Sequence, residues 1–124
     1  MAIPVTKSPI KPPIYFSMKS LGKKKSVDHE IGKYIVDDMT RFRQENYPND
    51  IYTLRPKEIE DSVKTAIGDN RATSRKIIHA LKALTYGMGE DDFWSTTTRG
   101  GGHNYFIRAT PDNLLFLRLR LRLI

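Results

Sequence analysis

Hydrophobic positions recur with helical spacing in the middle of the chain, from Thr73 to Leu84. The apolar residues of this segment lie at i, i+4 and i+7 or next to that series: Ile77, Ala80, Leu81 and Leu84. The basic residues repeat the spacing on the opposite side: Arg75, His79 and Lys82. At about 100° per residue, the pattern predicts a helix with one buried face and one basic, exposed face.

Two more helices and a short strand are predicted before this segment. The first helix runs from Ser26, an N-cap residue, to about Arg43. Its apolar face consists of Val27, Ile31, Tyr34, Ile35, Met39 and Phe42. The second helix begins at Pro56 and ends at Gly68, and its buried stripe consists of Ile59, Val63 and Ile67. Between the two helices, Ile51–Leu54 is rich in β-formers and predicts a strand.

Strand patterns dominate the C-terminal third. The segments Phe93–Thr98 and Asn104–Arg108 flank a cationic, glycine-rich run, Arg99–His103, which predicts a β-hairpin with a flexible tip. Leucine and arginine then alternate strictly from Leu117 to Leu123. This alternation predicts a C-terminal strand that pairs within the chain or with a second copy. Contact of its arginines with RNA or acidic lipid is the alternative.

Charge is distributed unevenly along the 124 residues, whose formal net charge is +7. Residues 1–25 hold six lysines, no acid and four of the seven prolines, a composition that does not build a core. Residues 26–124 hold 15 basic and 14 acidic residues and are therefore near neutral. We predict a flexible basic arm in which Lys23, Lys24 and Lys25 are candidate DNA contacts, with a solubilising tail as the alternative.

The composition also argues against several classes of function. The chain has no cysteine, which excludes disulfides, cysteine zinc sites and thiol catalysis. The three histidines, His29, His79 and His103, lack metal-ligand spacing, and no serine lies in a nucleophile motif. We therefore expect no enzyme activity, metal, cofactor or small-molecule ligand. No apolar run suits a signal peptide or a membrane span, so we expect a cytoplasmic or nucleoid-associated protein, nuclear in a eukaryote.

The order helix, short strand, helix, tight turn, helix and hairpin resembles the winged-helix family over about Ser26–Ala109. The likeness rests on the Ile51–Leu54 strand, the helix after Arg55, the T-S-R-K-I-I-H-A-L-K-A-L helix and the glycine-tipped hairpin. It implies an α+β fold of three helices and a small antiparallel sheet. It also implies DNA binding, with the third helix in the major groove and the hairpin, or wing, on phosphate or the minor groove.

We accordingly expect a basic arm (1–25), a winged-helix domain (26–109) and a C-terminal Leu/Arg strand (110–124). The expected function is binding of double-stranded DNA, as a regulator or as a replication or packaging accessory. Self-association through the C-terminal strand is a further expectation. The alternative is a protein- or RNA-binding module within a larger assembly, which the near-neutral body favours and the acid-free third helix disfavours.

The candidate DNA contacts come from the third helix and the wing. Around the helix they are Arg71, Thr73, Ser74, Arg75, Lys76, His79 and Lys82. In the wing they are Thr98, Arg99, Gly100, Gly101, His103 and Asn104. Arginine can bond bidentately to guanine, and lysine can reach phosphate. Glycine lets the backbone approach a sugar-phosphate surface closely.

Overall fold

The structure, a computed structural model, describes residues 26–124. Over this range the fold is α+β, with four helices and a three-stranded antiparallel sheet. In chain order the elements are α1 (Val27–Asn46), β1 (Ile51–Leu54), α2 (Pro56–Ile67), α3 (Ser74–Thr85), β2 (Phe93–Thr97), β3 (His103–Arg108) and α4 (Pro111–Leu121). The layout is compatible with a winged-helix arrangement. The predicted arm, including Lys23–Lys25, lies outside the described residues.

Local sequence signals set where the helices begin and end. Ser26, Thr73 and Thr110 are the N-caps of α1, α3 and α4, and each side chain accepts a hydrogen bond from a backbone N–H of the first turn. Pro56 takes the first position of α2, where its missing N–H costs nothing. Gly68 ends α2 in the left-handed conformation, with φ 67°. The predicted starts of the first three helices are confirmed.

One hydrophobic core joins the helices to the inner face of the sheet. Its largest fully buried side chains are Ile31, Ile35, Met39, Leu54, Val63, Ile77, Leu81, Leu84, Ile107 and Leu117. Burying one such side chain contributes about 1.5–3 kcal/mol. The apolar stripes predicted for the first three helices all lie in this core or pack against it.

The predicted strand and hairpin are confirmed, and β3 lies between β1 and β2. Ile107 of β3 faces Tyr52 on one neighbour and Phe93 on the other, on the buried side of the sheet. At the hairpin tip, the Thr98 N–H donates to the Gly102 carbonyl over 2.7 Å. Gly101 has φ 86°, a conformation that favours glycine.

The C-terminal segment is a helix, and the predicted strand there was wrong. In α4, Leu114 and Leu117 enter the core, whereas Leu115 is 55% exposed, so burial follows the helical period and not the strand period. Thr110 as N-cap and Pro111 at the first helical position begin the helix. Leucine and arginine both have high helix propensity, and tertiary packing of one face then selects the helix.

Candidate nucleic-acid interface

The helix α3 exposes basic side chains opposite its buried face. Ile77 and Leu81 are fully buried and anchor the helix in the core. The exposed face carries Arg75, Lys76, His79 and Lys82. The sequence-predicted division into one apolar and one basic stripe is therefore confirmed, and the basic stripe is accessible to a partner.

One carboxylate of the same chain contacts two of these side chains. Asp28 of α1 lies beside α3, with its Oδ2 atom 2.9 Å from Nδ1 of His79 and its Oδ1 atom 3.8 Å from Nζ of Lys76. Arg75 and Lys82 have no carboxylate partner within residues 26–124. The free positive charge of α3 is therefore concentrated on Arg75 and Lys82.

Arg71, which precedes α3, is paired as well. Its guanidinium donates hydrogen bonds to both carboxylate oxygens of Asp69, the shortest being 2.8 Å. These bonds and the charge of Asp69 raise the pKa of Arg71 above its ordinary value. Arg71 therefore holds the link between α2 and α3, and contact with an external anion would have to compete with Asp69.

A cleft of about 310 Å³ separates the start of α3 from the hairpin. The first turn of α2 forms a third wall. The predicted contacts that line this cleft are Ser74, Thr98, Gly101, His103 and Asn104. Residues predicted from two separate motifs therefore meet at one place. The other predicted contacts do not line the cleft: Arg71, Thr73, Arg75, Lys76, His79 and Lys82 around α3, and Arg99 and Gly100 at the hairpin tip.

Two basic residues at the cleft were not predicted from the sequence. Arg55 and Lys57, on either side of Pro56, line the wall formed by α2, and both are exposed. No side chain caps this end of α2, so the positive end of its helix dipole lies at the cleft. Glu58 is also in the wall, with Oε1 3.8 Å from Nη1 of Arg55, and partly offsets this charge. The sequence signal that could have identified these two residues is a proline at a helix start with a basic residue on each side.

The comparisons with known proteins assign no family to this chain. No model of a protein family, no curated protein and no solved structure matches it. The part of the chain that the structure describes contains no group of three or more His, Cys, Asp or Glu side chains that could hold a metal ion. No helix there is long and apolar enough to cross a membrane.

Proposed function

We propose that this protein is a winged-helix protein that binds double-stranded DNA, as a regulator or as a replication or packaging accessory. The observation that carries the proposal is the cleft, in which the start of α3, the start of α2 and the glycine-tipped hairpin meet. A helix that buries one face and exposes cations on the other suits the major groove. A hairpin beside it, with exposed glycines and neutral donors, suits the sugar-phosphate backbone.

The side chains divide into two proposed roles. Arg75 has no carboxylate partner among the described residues and is the residue we assign to base contact, since arginine bonds bidentately to guanine. Phosphate contacts are assigned to side chains that offer charge or a hydrogen-bond donor: Arg55, Lys57, Ser74, Lys82, Thr98, Arg99, His103 and Asn104. Such contacts fix the position of the protein on the duplex and carry no sequence information themselves.

A protein- or RNA-binding module within a larger assembly is the second candidate function. The observation that favours it is charge, because residues 26–124 hold nearly equal numbers of basic and acidic residues. Asp28 also contacts two of the exposed side chains of α3, His79 and Lys76. A surface that neutralises part of its own charge suits a partner less anionic than DNA.

A salt titration separates the two candidates. The full chain is titrated against labelled duplex DNA, single-stranded DNA and RNA of the same sequence, with fluorescence anisotropy as the signal. The proposal predicts tightest binding to the duplex and a linear fall of log K with log salt. Equal affinity for duplex DNA, single-stranded DNA and RNA would contradict the proposal. Absence of binding to the duplex at low salt would also contradict it.

Two substitutions test the role of α3 in the same assay. Arg75→Ala should weaken duplex binding by about 1–3 kcal/mol if Arg75 contacts a base. Arg41→Ala, on α1, is its control and should leave binding unchanged. Asp28→Asn should tighten binding at low salt because it releases His79 and Lys76. Its matched control is Asp37→Asn, which breaks an ion pair elsewhere on α1.

A further inference from the structure

The outer face of α4 carries leucines that no described part of the chain covers. Leu115 is 55% exposed and Leu119 is 49% exposed, while Leu114 and Leu117 on the inner face are buried. Leu123, just beyond the helix, is 78% exposed. Single exposed leucines are ordinary on protein surfaces, whereas neighbouring exposed leucines on one helix face are typical of interaction surfaces.

The spacing on this face is that of a two-helix seam. Positions 112, 115, 119 and 122 are separated by three, four and three residues, the a/d spacing of packed helices. The two inner positions are Leu115 and Leu119. Asp112 lies at the N-terminal end, and Arg122 at the C-terminal end keeps a helical backbone, with φ −70° and ψ −16°. We name these four residues the α4 seam.

The two ends of the α4 seam carry opposite charges that are free to pair. Asp112 and Arg122 are both exposed, and neither forms an ion pair within residues 26–124. In an antiparallel pair of α4 helices, Leu115 faces the partner's Leu119 and Asp112 faces the partner's Arg122. A parallel pair would oppose like charges at both ends. The α4 seam is therefore complementary to itself in the antiparallel direction only.

We propose that the α4 seam is a self-association surface on which a second copy of this chain docks antiparallel about a two-fold axis. Such isologous contacts are the commonest form of protein dimer. The helix dipoles of the two α4 copies also point in opposite directions in this arrangement. The proposal does not depend on nucleic-acid binding.

The other arginines of α4 distinguish a second copy from a lipid surface. Arg118 donates to Oγ1 of Thr40, and Arg120 donates to the Ala83 carbonyl. The Arg120 guanidinium also lies 5.1 Å from the centre of the Phe116 ring. Of the three arginines near the C-terminus, Arg118 and Arg120 are therefore held by their own chain, and Arg122 has no such contact among the described residues. Anionic lipid would be met best by arginines free to reach its headgroups.

The size of the contact sets the expected strength. Stable interfaces bury about 800 Å² on each partner, and α4 has only 11 residues, which places this contact at the weak end. We expect reversible dimers that form across the micromolar range. Sedimentation equilibrium of the full chain, without nucleic acid, measures the dimer dissociation constant directly.

Leu119→Glu tests the apolar part of the α4 seam. It places a carboxylate against the partner's Leu115 and should raise the dimer dissociation constant at least about tenfold. Thermal melting checks that the variant is folded, and Leu119→Gln repeats the test without a charge. A wild-type chain that stays monomeric at every concentration would overturn the proposal. Association that neither variant weakens would also overturn it.

Charge reversal tests the direction of packing. Asp112→Arg and Arg122→Asp each oppose like charges and should weaken the dimer, whereas the double variant restores both pairs and should recover it. Glu45→Arg, an exposed reversal on α1, is the control and should change nothing. A double variant no tighter than the single variants would overturn the antiparallel dimer. Binding of the monomeric wild-type chain to phosphatidylserine vesicles would assign the leucines to lipid instead.

Discussion

Asp28 sets how much positive charge α3 presents to an anion. Its partner His79 has a side chain that is 68% exposed, and Lys76 lies at the longer distance of 3.8 Å. Exposed ion pairs of this kind contribute about 0.2–1 kcal/mol and are screened by salt. A phosphate can therefore compete with Asp28 for either side chain. The pairs lower the affinity expected for DNA by a small factor and do not block the surface.

Tyr52 makes stability depend on alkaline pH. Burial raises the pKa of Tyr52 far above its ordinary value of 10.0, and the hydrogen bond that its hydroxyl donates to Asp38 raises the pKa further. Because the pKa of Tyr52 is higher in the folded protein than in the unfolded chain, protonated Tyr52 contributes to stability. This contribution is complete below pH 10 and is lost as pH rises above it. The loss from this single group should approach about 1.4 kcal/mol per pH unit.

Urea unfolding between pH 9 and 11.5 measures this loss. Tyr52→Phe removes the hydroxyl, so its free energy of unfolding should fall less steeply above pH 10 than that of the wild type. Tyr86→Phe, at a residue that is 75% exposed, is the matched control for removal of a tyrosine hydroxyl. Parallel curves for Tyr52→Phe and wild type would show that Tyr52 does not titrate on unfolding.

At the scale of elements, two leucines distinguish a helix from a strand at the C-terminus. Leu115 and Leu117 would share one face of a strand, but in α4 Leu117 is fully buried and Leu115 is 55% exposed. Leu117→Ala should cost about 2–5 kcal/mol of stability, and Leu115→Ala much less. Chemical denaturation of both variants at low protein concentration makes the comparison. Equal losses would support the strand and contradict α4.

The difference between α3 and α4 shows where sequence patterns fail. In α3 the apolar and basic residues occupy opposite faces, so the hydrophobic period and the N-cap Thr73 both indicate a helix. In α4 leucine occupies both faces, and its alternation with arginine imitates a strand. The correct signal was Thr110-Pro111-Asp112, an N-cap followed by proline and an acid in the first turn.

The candidate site was predictable only where its signals are local. The basic face of α3 and the glycine tip of the hairpin follow from short stretches of sequence. The pairing of His79 with Asp28 joins residues 51 positions apart and depends on how α1 packs against α3. The cleft likewise requires the β2–β3 hairpin to lie beside the starts of α2 and α3. Such long-range placement has no signature in a single sequence.

For the whole molecule, the two proposals combine in one geometric consequence. An antiparallel α4 pair would give each dimer two copies of α3 related by a two-fold axis. Two-fold DNA-binding proteins contact half-sites spaced by about 34 Å or its multiples, one helical turn of DNA. The preferred DNA would then be palindromic. Because sedimentation without DNA tests only the α4 contact, failure of one proposal leaves the other standing.

Positive charge is distributed unevenly along the chain. Since residues 26–124 are near neutral, most of the net charge lies in residues 1–25, outside the described structure. Replacing Lys23, Lys24 and Lys25 with Gln should weaken duplex binding at low salt and reduce the salt slope by up to about 2.7, at about 0.9 per phosphate contact. The melting temperature should not change. The matched control, Lys7, Lys11 and Lys19 to Gln, removes equal charge at positions farther along the sequence from α1 and should reduce the slope less. Equal reductions would indicate diffuse attraction by the arm, and an unchanged slope in both variants would make it a solubilising tail.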